Sequence, residues 1–369
     1  MQASCQKLVL LVASSDGKLI SMFIQDNVPL QAYSTMRLGG VAAYLSEVNE
    51  RGELTQLVAW AEARQLPIIM IGDGSNIVWR DEGFQGLVLV NKLLGIETYE
   101  MDTETIFMTA GGGELWDKLV EQTVTMGLSG LEFLSLIPGT SGAAPVQNIG
   151  AYGSQLSDVL STIEAYDLHE RQFVTLRGSE CEFGYRTSRF KTTDRNRFLI
   201  TKITVQLRRD TLYTDIYQTL EDYLTTNNIT DRTPQTIRDA VINIRNQKLP
   251  DPRIIANCGS FFANPIITAE QLHHIIDTYP DLASWRSRFT WEQPDGSIKI
   301  AAGALLEYSG FKDFHDAETG MATWSKQALV LINEHAHNTA DLLKFKQKII
   351  ETIQQKFNIT LEQEPELLP

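Results

Sequence analysis

The chain has 369 residues, of which 43% are hydrophobic and 21% are charged. This length allows about two or three domains, and the composition excludes a disordered, collagen-like or simple coiled-coil protein. Because 32 Lys and Arg residues stand against 46 Asp and Glu residues, the net charge is -14 and no general attraction to nucleic acid or to an anionic membrane exists. An anionic ligand must therefore be held by local basic residues.

The N-terminal segment and the cysteines indicate a cytoplasmic protein. The apolar run at residues 8–13 is too short to span a bilayer and lacks the flanks of a signal peptide. Residues 1–21 precede a second methionine, Met22, and are expected to be a tail or the product of a misplaced start. Cys5, Cys181 and Cys258 show no CxxC spacing, so we expect reduced thiols and neither a disulfide framework nor a zinc ribbon.

The first part of the chain alternates between helical and strand patterns. Its apolar residues predict a helix over residues 53–66, which Pro67 ends, and then a buried strand over residues 68–71. Glycine and small polar residues predict a turn at residues 72–76. Further predicted elements are strands at 87–90 and within 99–110 and a helix over 114–126. This order predicts a mixed α+β domain.

The second part begins with a segment at residues 137–153 that is almost free of charge and rich in Gly, Ala and Pro. Such a composition is typical of a backbone that lies against a ligand. Strands are predicted at 163–168 and 198–207, a mostly helical region at 209–254, a last helix ending at Phe357, and a strand over 359–367. That last strand would turn Glu362, Glu364 and Glu366 to one face.

Two glycine-rich loops, at residues 72–76 and 138–142, are candidates for holding a pyrophosphate. Glycine lets backbone N–H groups approach phosphate oxygens, although an ordinary tight turn explains the same composition. Neither loop has the GxGxxG spacing of a Rossmann domain, and the chain contains no GxxxxGK[ST] P-loop.

Basic side chains are clustered in two places that stand out in an acidic protein. Arginine can hold a phosphate or carboxylate through two hydrogen bonds or stabilise an enolate, whereas the alternative is a solvated basic face. The clusters consist of Arg186, Arg189 and Lys191, and of Arg245, Lys248 and Arg253.

Ser260 follows a glycine and precedes two aromatic residues, so it is either a hydroxyl proton donor or a turn residue. It is not part of a GxSxG elbow. None of the six histidines lies in a zincin pattern, so no metal site is predicted.

An ordered set of motifs, taken together, is more specific than any one of these signals. The chain resembles the UDP-N-acetylenolpyruvoylglucosamine reductase family, also called UDP-N-acetylmuramate dehydrogenase, over about residues 29–364. Its length and the long segment between FGYR and GSFF resemble the longer subtype, which has an extra substrate loop. The motifs are STMRLGG at residues 34–40, IGDGSN at 71–76, IPGTSGAAPVQNIGAYG at 137–153, FGYRTSRFK at 183–191, KLPDP at 248–252, GSFFANP at 259–265 and KFNITLEQE at 356–364.

The resemblance implies an α+β protein with a two-subdomain FAD-binding fold of the vanillyl-alcohol-oxidase (PCMH) type and a C-terminal α+β substrate-binding domain. The implied ranges are residues 22–98 with the C-terminal strand 358–369 for the first FAD subdomain, 99–210 for the second, and 211–357 for the substrate-binding domain.

The resemblance also implies roles for individual residues. Arg186, Ser260 and Glu364 take the catalytic positions, although the EPEL sequence leaves Glu366 as an alternative to Glu364. Tyr185, Lys248 and Asn264 take substrate-binding positions, and the tyrosine of the substrate loop is Tyr213, Tyr217 or Tyr223. The implied FAD-binding residues are Gly72, Asp73, Gly74, Ser75, Asn76, Pro138, Gly139, Thr140, Ser141, Gly142, Gln147, Asn148, Gly150 and Gly153.

The implied reaction has two halves on non-covalent FAD. NADPH gives a hydride to the flavin, and UDP-N-acetylglucosamine enolpyruvate then accepts it at C3, with Ser260 supplying the C2 proton and Arg186 and Glu364 stabilising the enolate. The product is UDP-N-acetylmuramate, a peptidoglycan precursor. The alternatives are an FAD-dependent sugar or alcohol oxidase of the same fold and a non-catalytic UDP-sugar binding protein. We expect a cytoplasmic monomer without a nucleic-acid or membrane partner.

Overall fold

The computed structural model describes residues 7–13, 19–209, 212–214 and 216–369, and the side chains of residues 7–13, 19–22, 285 and 287 lie outside the description. Cys5 is therefore outside the described residues. The helices are α1 (Arg51–Glu62), α2 (Trp116–Thr125), α3 (Gln218–Thr226), α4 (Pro234–Lys248), α5 (Ala269–Thr278), α6 (Arg286–Phe289), α7 (Ala302–Tyr308) and α8 (Thr339–Phe357). The strands are β1 (Lys7–Ala13), β2 (Leu19–Pro29), β3 (Val41–Val48), β4 (Ile68–Ile71), β5 (Ile77–Trp79), β6 (Phe84–Asn91), β7 (Ile96–Glu100), β8 (Thr105–Gly111), β9 (Leu128–Ser129), β10 (Gly150–Ala151), β11 (Ser154–Gln155), β12 (Leu160–Asp167), β13 (Gln172–Arg177), β14 (Phe198–Arg209), β15 (Asn257–Ser260), β16 (Ile266–Ile267), β17 (Thr290–Glu292), β18 (Ile298–Ile300), β19 (His315–Asp316), β20 (Met321–Trp324), β21 (Gln327–Asn333) and β22 (Glu366–Leu368).

The chain divides into two compact units. The first unit comprises the described residues within 1–29, 41–74 and 83–246, and the second comprises residues 30–40, 75–82 and 247–369. Each unit is thus made of segments that are distant in sequence.

The first unit contains two larger sheets. One has the order β1-β2-β3-β6-β4, in which β3, β6 and β4 are parallel, and α1 supplies the crossover between β3 and β4. α1 buries Leu54, Leu57, Val58 and Ala61, whose spacing of three and four residues places them on one face. The other sheet is antiparallel, with the order β13-β12-β14-β8-β7 and β9 beside β14, and α2 packs into its core through Trp116, Leu119 and Val120.

A helical pair completes the first unit. α3 and α4 bury Leu220, Leu224, Ile237 and Val241 in a common apolar cluster. The cluster also contains Phe133, which belongs to the segment just before the predicted 138–142 loop.

The second unit is built around α8. Its apolar face packs into a core that includes Phe261, Phe262 and Leu361, and its sheets have the orders β15-β21-β20-β19, β16-β18-β17 and β22-β5. Two carboxylate oxygens of Asp81 accept the N–H groups of Thr339 and Ala340 at 2.7 and 2.9 Å and satisfy the otherwise unpaired first turn of α8.

The structure departs from two predicted segments. Within residues 1–21, Lys7–Ala13 is a strand that pairs antiparallel with the strand beginning at Leu19, so this part of the segment predicted as a tail belongs to a sheet. The prediction of one strand over residues 359–367 is wrong, because only Glu366–Leu368 is a strand and the chain bends at Pro365. Proline has no N–H to continue a ladder, so the three glutamates do not share one strand.

Candidate active site

Gly72, the first residue of one predicted pyrophosphate loop, lies against the other loop, residues 138–142, within the first unit. A Cβ atom added at Gly72 would overlap the Thr140 hydroxyl and would lie 3.3 Å from the Cβ of Ala143. Only glycine permits this approach at residue 72. The sequence predicted each loop separately, and the structure brings them together.

The 138–142 loop is fixed by hydrogen bonds to the residues that precede and begin α2. The carbonyl of Gly139 accepts the N–H of Trp116 at 3.0 Å, and the N–H of Ser141 donates to Glu114 at 2.8 Å. The N–H of Gly142 donates to Gly112 at 2.9 Å, and the Ser141 hydroxyl donates to Gly111. The N–H groups of Ser141 and Gly142 therefore shape the loop.

Thr140 provides the group in this loop that fits a phosphate. Its side chain is buried beside Gly72, and its hydroxyl has no hydrogen-bond partner among the described residues. A buried hydroxyl without a partner is costly, whereas a phosphate oxygen would satisfy it. Asp73 is exposed and carries the same sign of charge as a pyrophosphate, so its backbone is better suited to this ligand than its carboxylate.

The segment over residues 147–153 is held in place by Asn148. This residue has a φ of 46°, and its side-chain amide donates to Gln155, Ser157 and Gly184 at 3.1 to 3.2 Å. Its side-chain oxygen accepts the N–H of Ser157 at 2.9 Å. The Asn148 side chain thus joins three neighbouring segments and is directed into the protein.

Arg186, the predicted catalytic arginine, lies against this same segment. Its Nη2 donates to the carbonyl oxygen of Gly150 at 2.6 Å, and a Cβ at Gly150 would lie 3.0 Å from its Nη1. The backbone of Arg186 has a φ of 55°, in the left-handed region that non-glycine residues seldom adopt. Its guanidinium carbon lies 5.2 Å from the ring centroid of Tyr185, which is 38% exposed.

The three candidate tyrosines of the substrate loop have different surroundings. Tyr213 donates its hydroxyl to the buried carboxylate of Glu132 and packs edge-on against Phe133 at 4.9 Å. Tyr217 instead has ring atoms 3.6 Å from the site of a Gly153 Cβ, and its ring lies 6.3 Å from that of Tyr152. Tyr213 is therefore an anchor, and Tyr217 is the tyrosine beside the 147–153 segment.

Burial raises the pKa of both Tyr152 and Tyr217, so both phenols remain neutral at ordinary pH. The charge of Arg245 acts on Tyr152, and the buried Nε of Arg245 has no hydrogen-bond partner among the described residues. Two phenols and a guanidinium thus converge beside the glycine-rich segment.

In the second unit, Ser260 lies at the end of β15 after an irregularity in the ladder. Gly259 has a φ of 73°, and its N–H donates to the Asn257 side chain at 2.9 Å. The register with β21 shifts between Asn257 and Ser260, as expected of a bulge that redirects a side chain. Ser260 is half-buried, and its hydroxyl makes no hydrogen bond within the described part of the chain.

Glu364 and Glu366 contact different parts of the second unit. The N–H of Glu364 donates to the carbonyl of Phe261 at 2.9 Å, directly after Ser260, whereas the N–H of Glu366 donates to Asn76 at 2.9 Å. Burial raises the pKa of the Cys258 thiol, and the Glu364 carboxylate adds to this shift. Glu364 therefore lies beside the GSFF segment, and Glu366 begins β22.

The remaining predicted substrate residues, Asn264 and Lys248, differ in the interactions that their side chains make within the protein. The Asn264 side-chain oxygen accepts the N–H of Ala302 at 3.0 Å at the start of α7, so its amide nitrogen is the group left for a ligand. Lys248, the last residue of α4, is exposed and has no ion pair among the described residues.

Two other members of the basic clusters are held by carboxylates. Arg189 pairs with Asp194 at 2.6 Å, and Arg253 pairs with Asp251 at 2.7 Å. These arginines therefore stabilise local structure.

Two residues at this site were missed by the sequence analysis. Asp117 accepts the N–H of Leu136 at 2.6 Å and forms a two-hydrogen-bond ion pair with the buried Arg238, at 2.7 and 3.1 Å. The available signal was an arginine on the otherwise apolar face that Ile237, Val241 and Ile244 define on α4.

Among the described residues, no helix combines the length and the apolar character needed to cross a membrane. No cluster of three or more His, Cys, Asp or Glu side chains in that same part of the chain could hold a metal ion.

Comparison with known proteins first defines the class. An FAD binding domain family matches residues 42–171, and the C-terminal domain family of UDP-N-acetylenolpyruvoylglucosamine reductase matches residues 250–368. The chain is thus an FAD-dependent oxidoreductase with an α+β C-terminal domain, and the predicted fold class is confirmed.

The relatives then define the family. UDP-N-acetylenolpyruvoylglucosamine reductase of Cupriavidus pinatubonensis is 40% identical over 92% of this chain and 98% of its own, and that of Ralstonia nicotianae is 38% identical over 93% and 98%. The crystal structure of this enzyme from Thermus caldophilus matches with a TM-score of 0.63 at 22% identity, over 94% of this chain and 100% of its own. The chain belongs to the UDP-N-acetylenolpyruvoylglucosamine reductase family, as its motifs predicted.

Proposed function

We propose that the protein uses NADPH to reduce UDP-N-acetylglucosamine enolpyruvate to UDP-N-acetylmuramate during synthesis of the peptidoglycan precursor. The observation that carries this proposal is that relatives named for this reductase match 92–93% of the chain and 98% of their own length. Both the FAD-binding part and the C-terminal part of such an enzyme are therefore represented.

The cofactor is FAD. The buried Thr140 hydroxyl, which has no hydrogen-bond partner among the described residues, is available to bind it. We assign the pyrophosphate to residues 72–76 and 138–142 and the flavin to residues 147–153. FAD, when bound, supplies the hydride relay between the two substrates. The residues around it bind and orient the cofactor, and no covalent attachment is proposed.

Arg186 is assigned to the substrate carboxylate and to the negative charge that develops on the enolate. Its guanidinium is held by the Gly150 carbonyl at 2.6 Å, so it does not have to be ordered when the substrate binds. A charged donor fixed in advance stabilises a transition state better than a mobile one.

Ser260 is assigned as the proton donor to C2, and Glu364 as the acid that stabilises the enolate beside it. Support comes from the Ser260 hydroxyl, which follows the bulge in β15 and has no acceptor among the described residues, and from the bond between the Glu364 N–H and Phe261 at 2.9 Å. The reduction adds a hydride at C3 and a proton at C2, so one proton donor is sufficient.

The remaining assigned groups bind the UDP-sugar and NADPH. Lys248 provides an exposed positive charge for diphosphate, and the Asn264 amide provides a neutral donor. Tyr185 and Tyr217 offer aromatic surface near the glycine-rich segment, and Tyr217 also offers a neutral hydroxyl group.

The decisive experiment separates the two half-reactions in the absence of oxygen. NADPH should bleach the flavin absorption, and UDP-N-acetylglucosamine enolpyruvate should restore it with stoichiometric formation of UDP-N-acetylmuramate. Bleaching of the flavin by a simple sugar or alcohol, followed by reoxidation when oxygen is admitted, would instead indicate an oxidase. Tight binding of the UDP-sugar without any change in the flavin spectrum would indicate a non-catalytic binding protein.

We also propose that the protein acts as a cytoplasmic monomer and that the predicted domain ranges correspond to its FAD-binding and substrate-binding parts. The FGYR motif lies within the first unit and the GSFF motif within the second, which supports treating the two units as separate contributors of residues.

A further inference from the structure

The first turn of α2 holds the segment from Leu134 to Gly139 at three points. The indole Nε1 of Trp116 donates to the carbonyl of Leu134 at 2.9 Å, and its backbone N–H donates to Gly139 at 3.0 Å. Between these two points, the Asp117 carboxylate accepts the N–H of Leu136 at 2.6 Å. The path of the chain into the loop is therefore set by Trp116 and Asp117.

Leu136 is the position where this path is most demanding. Its φ of 59° is in the left-handed region, which is unfavourable for a residue with a branched side chain. Neither glycine nor asparagine, the residues that adopt this conformation most readily, is present here. The hydrogen bond to Asp117 therefore stabilises a backbone conformation that leucine at residue 136 does not itself favour.

Asp117 is in turn kept charged and oriented by Arg238. Burial alone would raise the pKa of Asp117, but hydrogen bonds from Arg238 and from the Leu136 N–H outweigh burial and hold the pKa below its ordinary value. Arg238 is 6% exposed, and its guanidinium binds both carboxylate oxygens of Asp117. Because neighbouring residues of α4 are buried around Phe133, the arginine approaches from a fixed position.

We propose that Asp117 and Arg238 form a positioning pair for FAD. By fixing the backbone of Leu136, the pair sets the direction of the 138–142 loop and places the Thr140 hydroxyl where a phosphate oxygen can accept it. Neither residue contacts the cofactor itself. This inference rests on the proposed assignment of the loop to the FAD pyrophosphate.

The test measures FAD affinity, because loss of a residue that positions the FAD-binding loop should weaken FAD binding whether or not the enzyme turns over. FAD is removed from the full-length protein, and its dissociation constant is determined by flavin fluorescence titration. The melting temperature of the FAD-free protein is recorded for each variant. Glu121→Gln, which removes an exposed ion pair from the same helix, is the control and should retain the wild-type constant.

Asp117→Asn should weaken FAD binding by about tenfold or more, the factor that corresponds to about 1.4 kcal/mol. Leu136→Asn, added to Asp117→Asn, should recover most of this loss, since asparagine adopts the left-handed conformation more readily than leucine. If Asp117→Asn does not fold, Arg238→Lys serves instead, because lysine keeps the charge but not the two parallel hydrogen bonds.

A wild-type dissociation constant for FAD in Asp117→Asn, or in Arg238→Lys where that variant is used, would overturn the inference. Loss of affinity without recovery by Leu136→Asn would also overturn it, since the pair would then act through general stability. Thr140→Val separates these outcomes from failure of the proposed function. A wild-type FAD affinity in Thr140→Val means that the loop is not the pyrophosphate site, whereas weakening by Thr140→Val alone leaves the loop assignment intact and rejects the positioning pair.

Discussion

Arg186 donates a hydrogen bond of 2.6 Å from its Nη2 to the carbonyl oxygen of Gly150. This bond joins the FGYR motif to the glycine-rich segment within the first unit. A guanidinium has five N–H donors in a fixed plane, so one bond to a carbonyl restricts the orientation of the others. A Cβ at residue 150 would lie 2.9 Å from the carbonyl oxygen of Ser154 and 3.0 Å from the Arg186 Nη1, so both neighbours favour glycine there.

Arg186→Lys should therefore impair the second half-reaction strongly, although the substitution keeps the positive charge. Lysine retains the charge but loses the planar set of donors. We expect reoxidation of the reduced flavin by the enolpyruvate substrate to slow by about 100 to 1,000-fold. Flavin reduction by NADPH in the same variant is the internal control and should change little. Equal slowing of both half-reactions, measured by stopped-flow absorbance, would show that Arg186 supports the flavin site as a whole.

Ser260→Ala should separate the two half-reactions in the same manner but for a different reason. The variant loses the C2 proton donor, so NADPH should still reduce the flavin while enolpyruvate reduction slows severely. Ser260→Cys should retain some activity because a thiol can also donate a proton. Unchanged rates in Ser260→Ala would remove the hydroxyl from the mechanism.

Lys248→Ala tests the exposed positive charge at the end of α4. Because both NADPH and the UDP-sugar carry phosphates, both Michaelis constants should rise, while the rate at saturation should change less. The difference from wild type should shrink as salt screens the charge. Lys326→Ala, which removes another exposed lysine of the second unit, is the matched control. If Lys248→Ala and Lys326→Ala behave alike, Lys248 belongs to a solvated surface.

Glu132 should make stability depend on pH. Its carboxylate is fully buried, and burial raises its pKa above 4.5 in spite of hydrogen bonds from Tyr213 and from the Gly130 N–H. Above pH 4.5 the unfolded chain loses this proton more readily than the folded protein, so the free energy of unfolding falls as pH rises toward the folded-state pKa. Glu132→Gln should remove this part of the slope in denaturant titrations at a series of pH values from 4.5 upward. An unchanged slope would mean that Glu132 titrates normally.

Local patterns predicted much of the fold but could not predict which distant segments meet. The face of α1 and the turn at residues 72–76 follow from spacing and composition over a few residues, and both are present. The contact of Gly72 with Thr140 depends on two sheets and a helix, so no local pattern contains it. The spacing of Arg238 places it on the apolar face of α4 but does not identify its partner, and the position of Asp117 on another helix explains the burial of Arg238.

The C-terminal prediction failed for a reason that also bears on the choice of catalytic acid. Alternation alone places Glu364 and Glu366 on one face, about 7 Å apart. Pro365 interrupts the strand between them, and the two N–H groups then bond to different partners, Phe261 and Asn76. The two glutamates therefore have different surroundings, and only Glu364 is bonded to the GSFF segment.

Glu364→Gln and Glu366→Gln should be compared in single-turnover reactions with flavin reduced beforehand, where NADPH binding cannot limit the rate. Loss of a group that stabilises the enolate-like transition state should lower both the rate of flavin reoxidation and kcat/KM, typically by about 100 to 1,000-fold. We expect this loss in Glu364→Gln, because the Glu364 backbone bonds to Phe261 beside Ser260 and its carboxylate charge acts on Cys258. Glu366→Gln should retain nearly full activity, since Glu366 begins a strand paired with Ile77. The reverse ranking would show that the EPEL sequence sets the register of the catalytic acid and that Glu364 only supports the GSFF segment.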